Sequence, residues 1–172
     1  MKYLTGILIA LAFLSCTTKE KSGGENELSQ QVTEMEKRAA LRHLVDTFSI
    51  LADEKDAQAQ TLLFTETAVV ETYRDGELVS KLEGREQIGQ AFGNFLSNFE
   101  IVYHFNGQHS VTLNGAKATG ILYCLTTLIT AEKVKTNIGV RYNDEYVFEN
   151  GKWLIAKRTS MFDWQEVTEL NE

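Results

Sequence analysis

His104 and Arg158 are the residues from which any chemistry would have to come. Histidine exchanges a proton near neutral pH, and arginine holds anions with a planar fork of donors. His104 lies between Tyr103 and Phe105 on one apolar stretch, and Arg158 lies on the last long one. Each also has a structural reading. His104 could be a core histidine bonded to a backbone carbonyl, and Arg158 could pair with Asp144 or Asp163 on neighbouring strands. His43 falls on the polar side of a helix and His109 follows a suspected bulge, so both look peripheral. Cys124 sits inside an apolar strand and reads as a small buried hydrophobe, with a catalytic thiol as the alternative. The three histidines are not at metal-ligand spacing, and no Cys/His cluster accompanies them. There is no glycine-rich phosphate loop and no nucleophile elbow.

The elements that must position these side chains are legible from periodicity. Leu41, Leu44, Val45, Phe48, Leu51 and Ala52 recur at three- and four-residue spacing, which predicts an amphipathic helix beginning near Thr33. A short second helix is expected from Asp56, its cap, to about Phe64. Ala68-Val69-Val70 opens a strand, and Asp75-Gly76 is a hairpin signal before Glu77 to Leu82. Ile88, Ala91, Phe92, Phe95 and Leu96 share one face of a third helix. Four long strands follow, over 99–113, 116–131, 136–149 and 152–164. Asn114-Gly115 and Asn150-Gly151 mark turns, and Gly107 marks a bulge. The strand over 116–131 is apolar on both faces. An antiparallel sheet usually has one wet face, so helices are expected on one side and a second copy of the chain on the other.

The chain has 172 residues, 43% hydrophobic content and a formal charge of -7. That suits one domain with a real core. It offers no basic footprint for nucleic acid. Residues 1–15 read as a signal peptide: Lys2 supplies the positive end, and Leu4 to Leu14 form an apolar run about half as long as a membrane span. The run ends in Ser15-Cys16, which resembles the lipobox of bacterial lipoproteins. The resemblance implies acylation of Cys16, hence a membrane-anchored protein of the cell envelope, periplasmic or surface-exposed. Residues 16–32 are polar enough to be a solvated tether, leaving 33–168 as the folded domain.

Helix, helix, hairpin, helix and a long curved antiparallel sheet make an α+β cone. The order of motifs resembles the nuclear transport factor 2-like superfamily, in its SnoaL-like and scytalone-dehydratase-like branch. The matching segments are Phe48 to Asp56, Asp75-Gly76 with Gly84-Arg85-Glu86-Gln87-Ile88, and His104 with Asn114-Gly115. They continue with Arg141-Tyr142-Asn143-Asp144-Glu145-Tyr146 and Gly151-Lys152-Trp153-Leu154-Ile155 through Arg158. The resemblance implies that Asp53, at the end of the first helix, and His104, on the sheet, act as acid and base without a cofactor or metal. They would remove a proton and expel water, or move a double bond. Arg158 would bind an anionic group or an enolate oxygen. The bland alternative for Asp53 is a solvated helix end in Asp53-Glu54-Lys55-Asp56.

Phe48 stands where dehydratases of the branch often have a tyrosine, so a substrate-polarising hydroxyl is missing there. Tyr103 or Tyr123 could supply one from the sheet, but Tyr103 and His104 are neighbours and point to opposite faces. Phe48, Tyr123, Arg158 and Trp164 are the candidate ligand contacts. Three functions are compatible with these residues: a pocket for a small apolar or steroid- or polyketide-like molecule, a cofactor-free dehydratase or isomerase, or a dimerising accessory module with a filled cone.

Overall fold

The computed structural model describes residues 21–170. The chain divides into two compact units, Met1–Met35 and Glu36–Glu172. In the first, the described residues form the opening turns of helix α1 (Lys21–Asp53), and positions 24–35 are exposed. The segment expected as a tether is therefore helical from Lys21, with Glu, Gln, Leu and Lys supplying helix propensity rather than a buried face. Cys16 and the signal segment lie outside the described residues.

In the second unit, the remainder of α1 buries Leu41, Leu44, Val45, Phe48 and Ala52, the stripe the periodicity predicts. The helix ends where Lys55 takes a left-handed φ of 60° and the Asp56 amide donates back to the Leu51 carbonyl at 2.9 Å. Asp56 then caps α2 (Ala57–Thr61), its carboxylate accepting from the Ala59 amide. Helix α3 is Arg85–Leu96, with Ile88 and Leu96 buried.

The strands are β1 (Phe64–Arg74), β2 (Glu77–Glu83), β3 (Ile101–Asn114), β4 (Lys117–Ile129), β5 (Val134–Glu149) and β6 (Lys152–Glu169). They form a six-stranded sheet in the order β2-β1-β6-β5-β4-β3. β1 runs parallel to β6, and the other neighbouring pairs are antiparallel. The expected α+β architecture of three helices on a long curved sheet is what the chain adopts. Asp75-Gly76 and Asn150-Gly151 put both central residues at positive φ, the geometry of a tight hairpin turn. The turn at Asn114 is shifted by one position: Asn114 ends β3 and Gly115 takes the positive φ.

Strand alternation sorts side chains between the two faces. On β4, Ala118, Leu122, Cys124, Thr126 and Leu128 are buried, whereas Ile121, Tyr123 and Leu125 are exposed. An extra residue in β3 between Asn106 and His109 confirms the bulge at Gly107. It keeps His104 and Asn106 before it, and His109 and Val111 after it, on the buried side. Gly120 is required by close approach, because a Cβ there would lie 2.9 Å from the Tyr146 ring.

Candidate active site

The buried face of the sheet, together with α1 and α3, encloses a cavity of about 290 Å³. Its apolar wall comes from Phe48 and Ala52 of α1, from Ala91, Phe92, Phe95 and Leu96 of α3, and from Val70 and Leu82 of the hairpin. Its polar groups are His104, Arg158, Tyr142, Gln60, Ser80, Ser160, Thr72 and Arg74. The cone is therefore not plugged, and His104 faces the cavity.

His104 is held from behind. Its Nδ1 lies 2.7 Å from Asp53 Oδ1, and its backbone amide donates to Asp53 Oδ2 at 3.3 Å. Asp53 comes from the last residue of α1 and His104 from the start of β3, so helix packing on the sheet creates the pair. A carboxylate accepting from Nδ1–H fixes the tautomer in which Nε2 is the free base. The His104 side chain is 8% exposed and that of Asp53 27%. Asp53 does not line the cavity as an independent acid. Its position behind the ring makes it the orienting group of a dyad, a division of labour that spacing along the sequence does not express.

Arg158 is the other polar anchor. It pairs bidentately with Asp144, Nε to Oδ1 at 2.8 Å and Nη2 to Oδ2 at 2.6 Å, while Asp163 is taken by Arg141. The guanidinium is clamped between two rings, 4.1 Å from the centre of Phe48 and 4.4 Å from that of Tyr142. Both partners of the ion pair are almost fully buried, yet Arg158 Nη1 has no hydrogen-bond partner among the described residues. Gln60 shares this condition: its Nε2 donates to the Phe48 carbonyl, and its buried Oε1 is unmatched. Unsatisfied buried polar atoms are costly, and here both belong to residues lining one cavity.

Behind Arg158 a polar chain extends to β3. Tyr146 donates its hydroxyl to Asp144 Oδ2 at 2.9 Å, so the His109 Nε2, 3.2 Å from that hydroxyl, must be the donor in turn. Burial, with Asp144 alongside, pushes the Tyr146 phenol well above its usual range and keeps it protonated. Burial likewise pulls His109 below the ordinary histidine value, so His109 is no longer peripheral. Because the folded state disfavours protonated His109, the unfolded chain binds more protons in acid. Stability should therefore decline as the pH falls through the ordinary value of 6.5 and below. The decline should be shallower in His109→Gln, which keeps a donor to Tyr146, as thermal melts at stepped pH would show.

The remaining sequence candidates separate clearly. Phe48 lies in the wall, in edge contact with Phe64, Phe92 and Tyr142. Tyr123 does not reach the cavity. It alternates onto the opposite face and is 48% exposed, as is Tyr103 at 56%. Trp164 is also outside, 53% exposed near the end of β6 and packed over Gly139. Both were expected as ligand contacts, and strand alternation and the length of β6 take them away. Tyr142, Gln60 and Arg74 were missed. Only Tyr142 carried a signal, sharing an alternation face with Asp144. Among the described residues no group of three or more His, Cys, Asp or Glu could hold a metal ion.

A curved, mostly antiparallel sheet capped by three helices is the nuclear transport factor 2-like fold. Residues 33–159 match the model of the SnoaL-like domain, and the chain belongs to that family. An uncharacterised protein of Mycobacterium tuberculosis is 24% identical over 139 residues, covering 79% of this chain and 92% of the relative. Among solved structures, a candidate scytalone dehydratase from Novosphingobium aromaticivorans superposes with a TM-score of 0.73 at 16% identity, over 82% of this chain and 93% of that one. A type 2 hexachlorocyclohexane dehydrochlorinase gives a TM-score of 0.71 at 17% identity, over 83% and 97%. At these identities the likeness shows the fold alone.

Proposed function

We propose that this domain is a cofactor-free lyase or isomerase that removes a proton from carbon next to a carbonyl. The observation that carries the reading is His104, oriented by Asp53 at 2.7 Å and facing an apolar cavity that Arg158 also lines. His104 Nε2 takes the C–H proton, and the electron pair moves towards the carbonyl oxygen. Arg158 Nη1, unpartnered among the described residues, donates to that oxygen as it gains charge. In an elimination, the pair then forms the C=C bond as a β-hydroxyl leaves, and the protonated His104 returns the proton to make water. In an isomerisation, it returns the proton to a different carbon. Arg158 can take the substrate-polarising role that a hydroxyl at position 48 would otherwise fill. Candidate scytalone dehydratase and dehydrochlorinase structures share the fold, which makes elimination chemistry a reasonable first assay. The test is proton exchange: cyclic β-hydroxy ketones incubated with the protein in deuterated water should exchange or dehydrate. No exchange above buffer across such a panel would leave the pocket a binding site only.

We further propose that Cys16 carries the lipid anchor and that the exposed sheet face is covered by a second copy. Ile121, Tyr123, Leu125, Tyr103 and Phe105 are each more than two-fifths exposed on that face, an apolar surface unusual for a monomer. Mass spectrometry of the mature protein would check both. A diacylated Cys16 with residues 1–15 removed and a native dimer that Tyr123→Lys dissociates are expected; an unmodified monomer would refute both.

A further inference from the structure

We propose that the cavity accepts an elongated anionic amphiphile, with its reactive end at His104 and Arg158 and its oxyanion end held at the mouth by Arg74. The proposal rests on the general-base reading for the reactive end only.

β1 and β6 run side by side, with Val70 opposite Arg158 and Arg74 opposite Phe162. Val70 and Arg158 are 3% and 1% exposed, whereas Arg74 is exposed. The cavity therefore runs from a closed end at Arg158 to a mouth at Arg74. Four residues of strand separate the two rows by about 13 Å. A ligand touching both ends is longer than a single ring.

Arg74 is prepared for an anion. Its guanidinium lies over the Phe162 ring, 5.5 Å from the centre, which steadies the fork without consuming its donors. No carboxylate among the described residues forms an ion pair with it. Glu77 is its cross-strand partner but makes no such contact, and Glu71 is taken by Lys157. Among the described residues no carboxylate lines the cavity. Asp53 and Asp144 sit behind His104 and Arg158 and are spent on them. A chain of net charge -7 thus presents two guanidiniums and no acid along one apolar wall. Such a wall selects against a second basic group and for an oxyanion at the far end.

The test is equilibrium binding of ω-phenylalkanoates of increasing chain length, each against its primary amide, by titration calorimetry. It is run on the wild type and on His104→Gln, in which turnover cannot disturb the reading. At the best chain length the carboxylate should bind about tenfold tighter than the amide. Arg74→Gln should remove that preference while leaving amide affinity unchanged. Equal affinities, a preference that survives Arg74→Gln, or no binding of either series at millimolar concentration would overturn the proposal. Binding with the expected preference but no proton exchange on any ketone leaves the anion site standing and sinks the chemistry. Exchange on neutral ketones with no carboxylate preference does the reverse.

Discussion

His104→Gln is expected to lower proton exchange and elimination by about 10²- to 10⁴-fold, the range for loss of a positioned general base. Glutamine keeps the volume and a donor towards Asp53, so the mutant should fold and retain ligand affinity. Asp53→Asn should fall in the same direction for a different reason. An amide in place of the carboxylate no longer demands Nδ1–H, and the imidazole turns to the tautomer that presents a proton to the substrate instead of a lone pair. The two losses should not multiply in the double mutant, because both remove one dyad. Rates measured in deuterated water, with thermal melts as the folding control, decide it. A His104→Gln protein with wild-type exchange would dismiss the dyad as structural. Independent, additive losses would instead show that the two residues do not act as one unit.

Asp144→Ala is expected to destabilise the fold by about 3–5 kcal/mol, because it strands the Arg158 charge in the interior. For a domain of this size that lowers the melting temperature by about 10–20 °C. The ring clamp of Phe48 and Tyr142 does not substitute for the carboxylate. It satisfies the faces of the guanidinium, while the in-plane donors at Nε and Nη2 lose their acceptors. Replacing both partners, as Asp144→Leu with Arg158→Met, should recover most of the stability, since well-packed apolar residues often match a buried ion pair. The same double mutant should lose turnover, because nothing then donates to the developing oxyanion. Chemical denaturation and exchange rates on the three proteins separate the structural role of Arg158 from its chemical one. An Asp144→Ala protein as stable as wild type would mean that solvent reaches the pair.

The network also explains why Gly120 and the β3 bulge belong to the site. Tyr146 can reach Asp144 only if the strand opposite lacks a side chain, and Gly120 supplies the gap. The extra residue near Gly107 returns His109 to the inner face, where it completes the chain. Neither residue touches the cavity, and both are needed for the groups that do.

The sequence by itself determined the elements, their order and the faces of the strands. Those features follow from local periodicity: 3.6 residues on α1, two on β4, and positive-φ turn residues at Asp75-Gly76 and Asn150-Gly151. The same alternation rule correctly separated Tyr103 from His104. It also had the information to exclude Tyr123, an odd-numbered neighbour of buried Leu122 and Cys124. What only the tertiary structure decided were contacts between elements distant in the chain. Asp53 and His104 are separated by 51 positions, and no pattern within either segment specifies which atoms meet. The choice of Asp144 over Asp163 for Arg158 depended on register: Asp144 lies directly opposite Arg158 on β5. Gln60 and Arg74 carried no periodic signal at all, being one of two glutamines in a five-residue helix and an arginine beside a turn. Their relevance comes from where the cavity opens and closes, and that is set by the curvature of the sheet under α1 and α3. Local preferences are short-ranged and can be read along the chain, whereas a cavity exists only once the walls have been brought together.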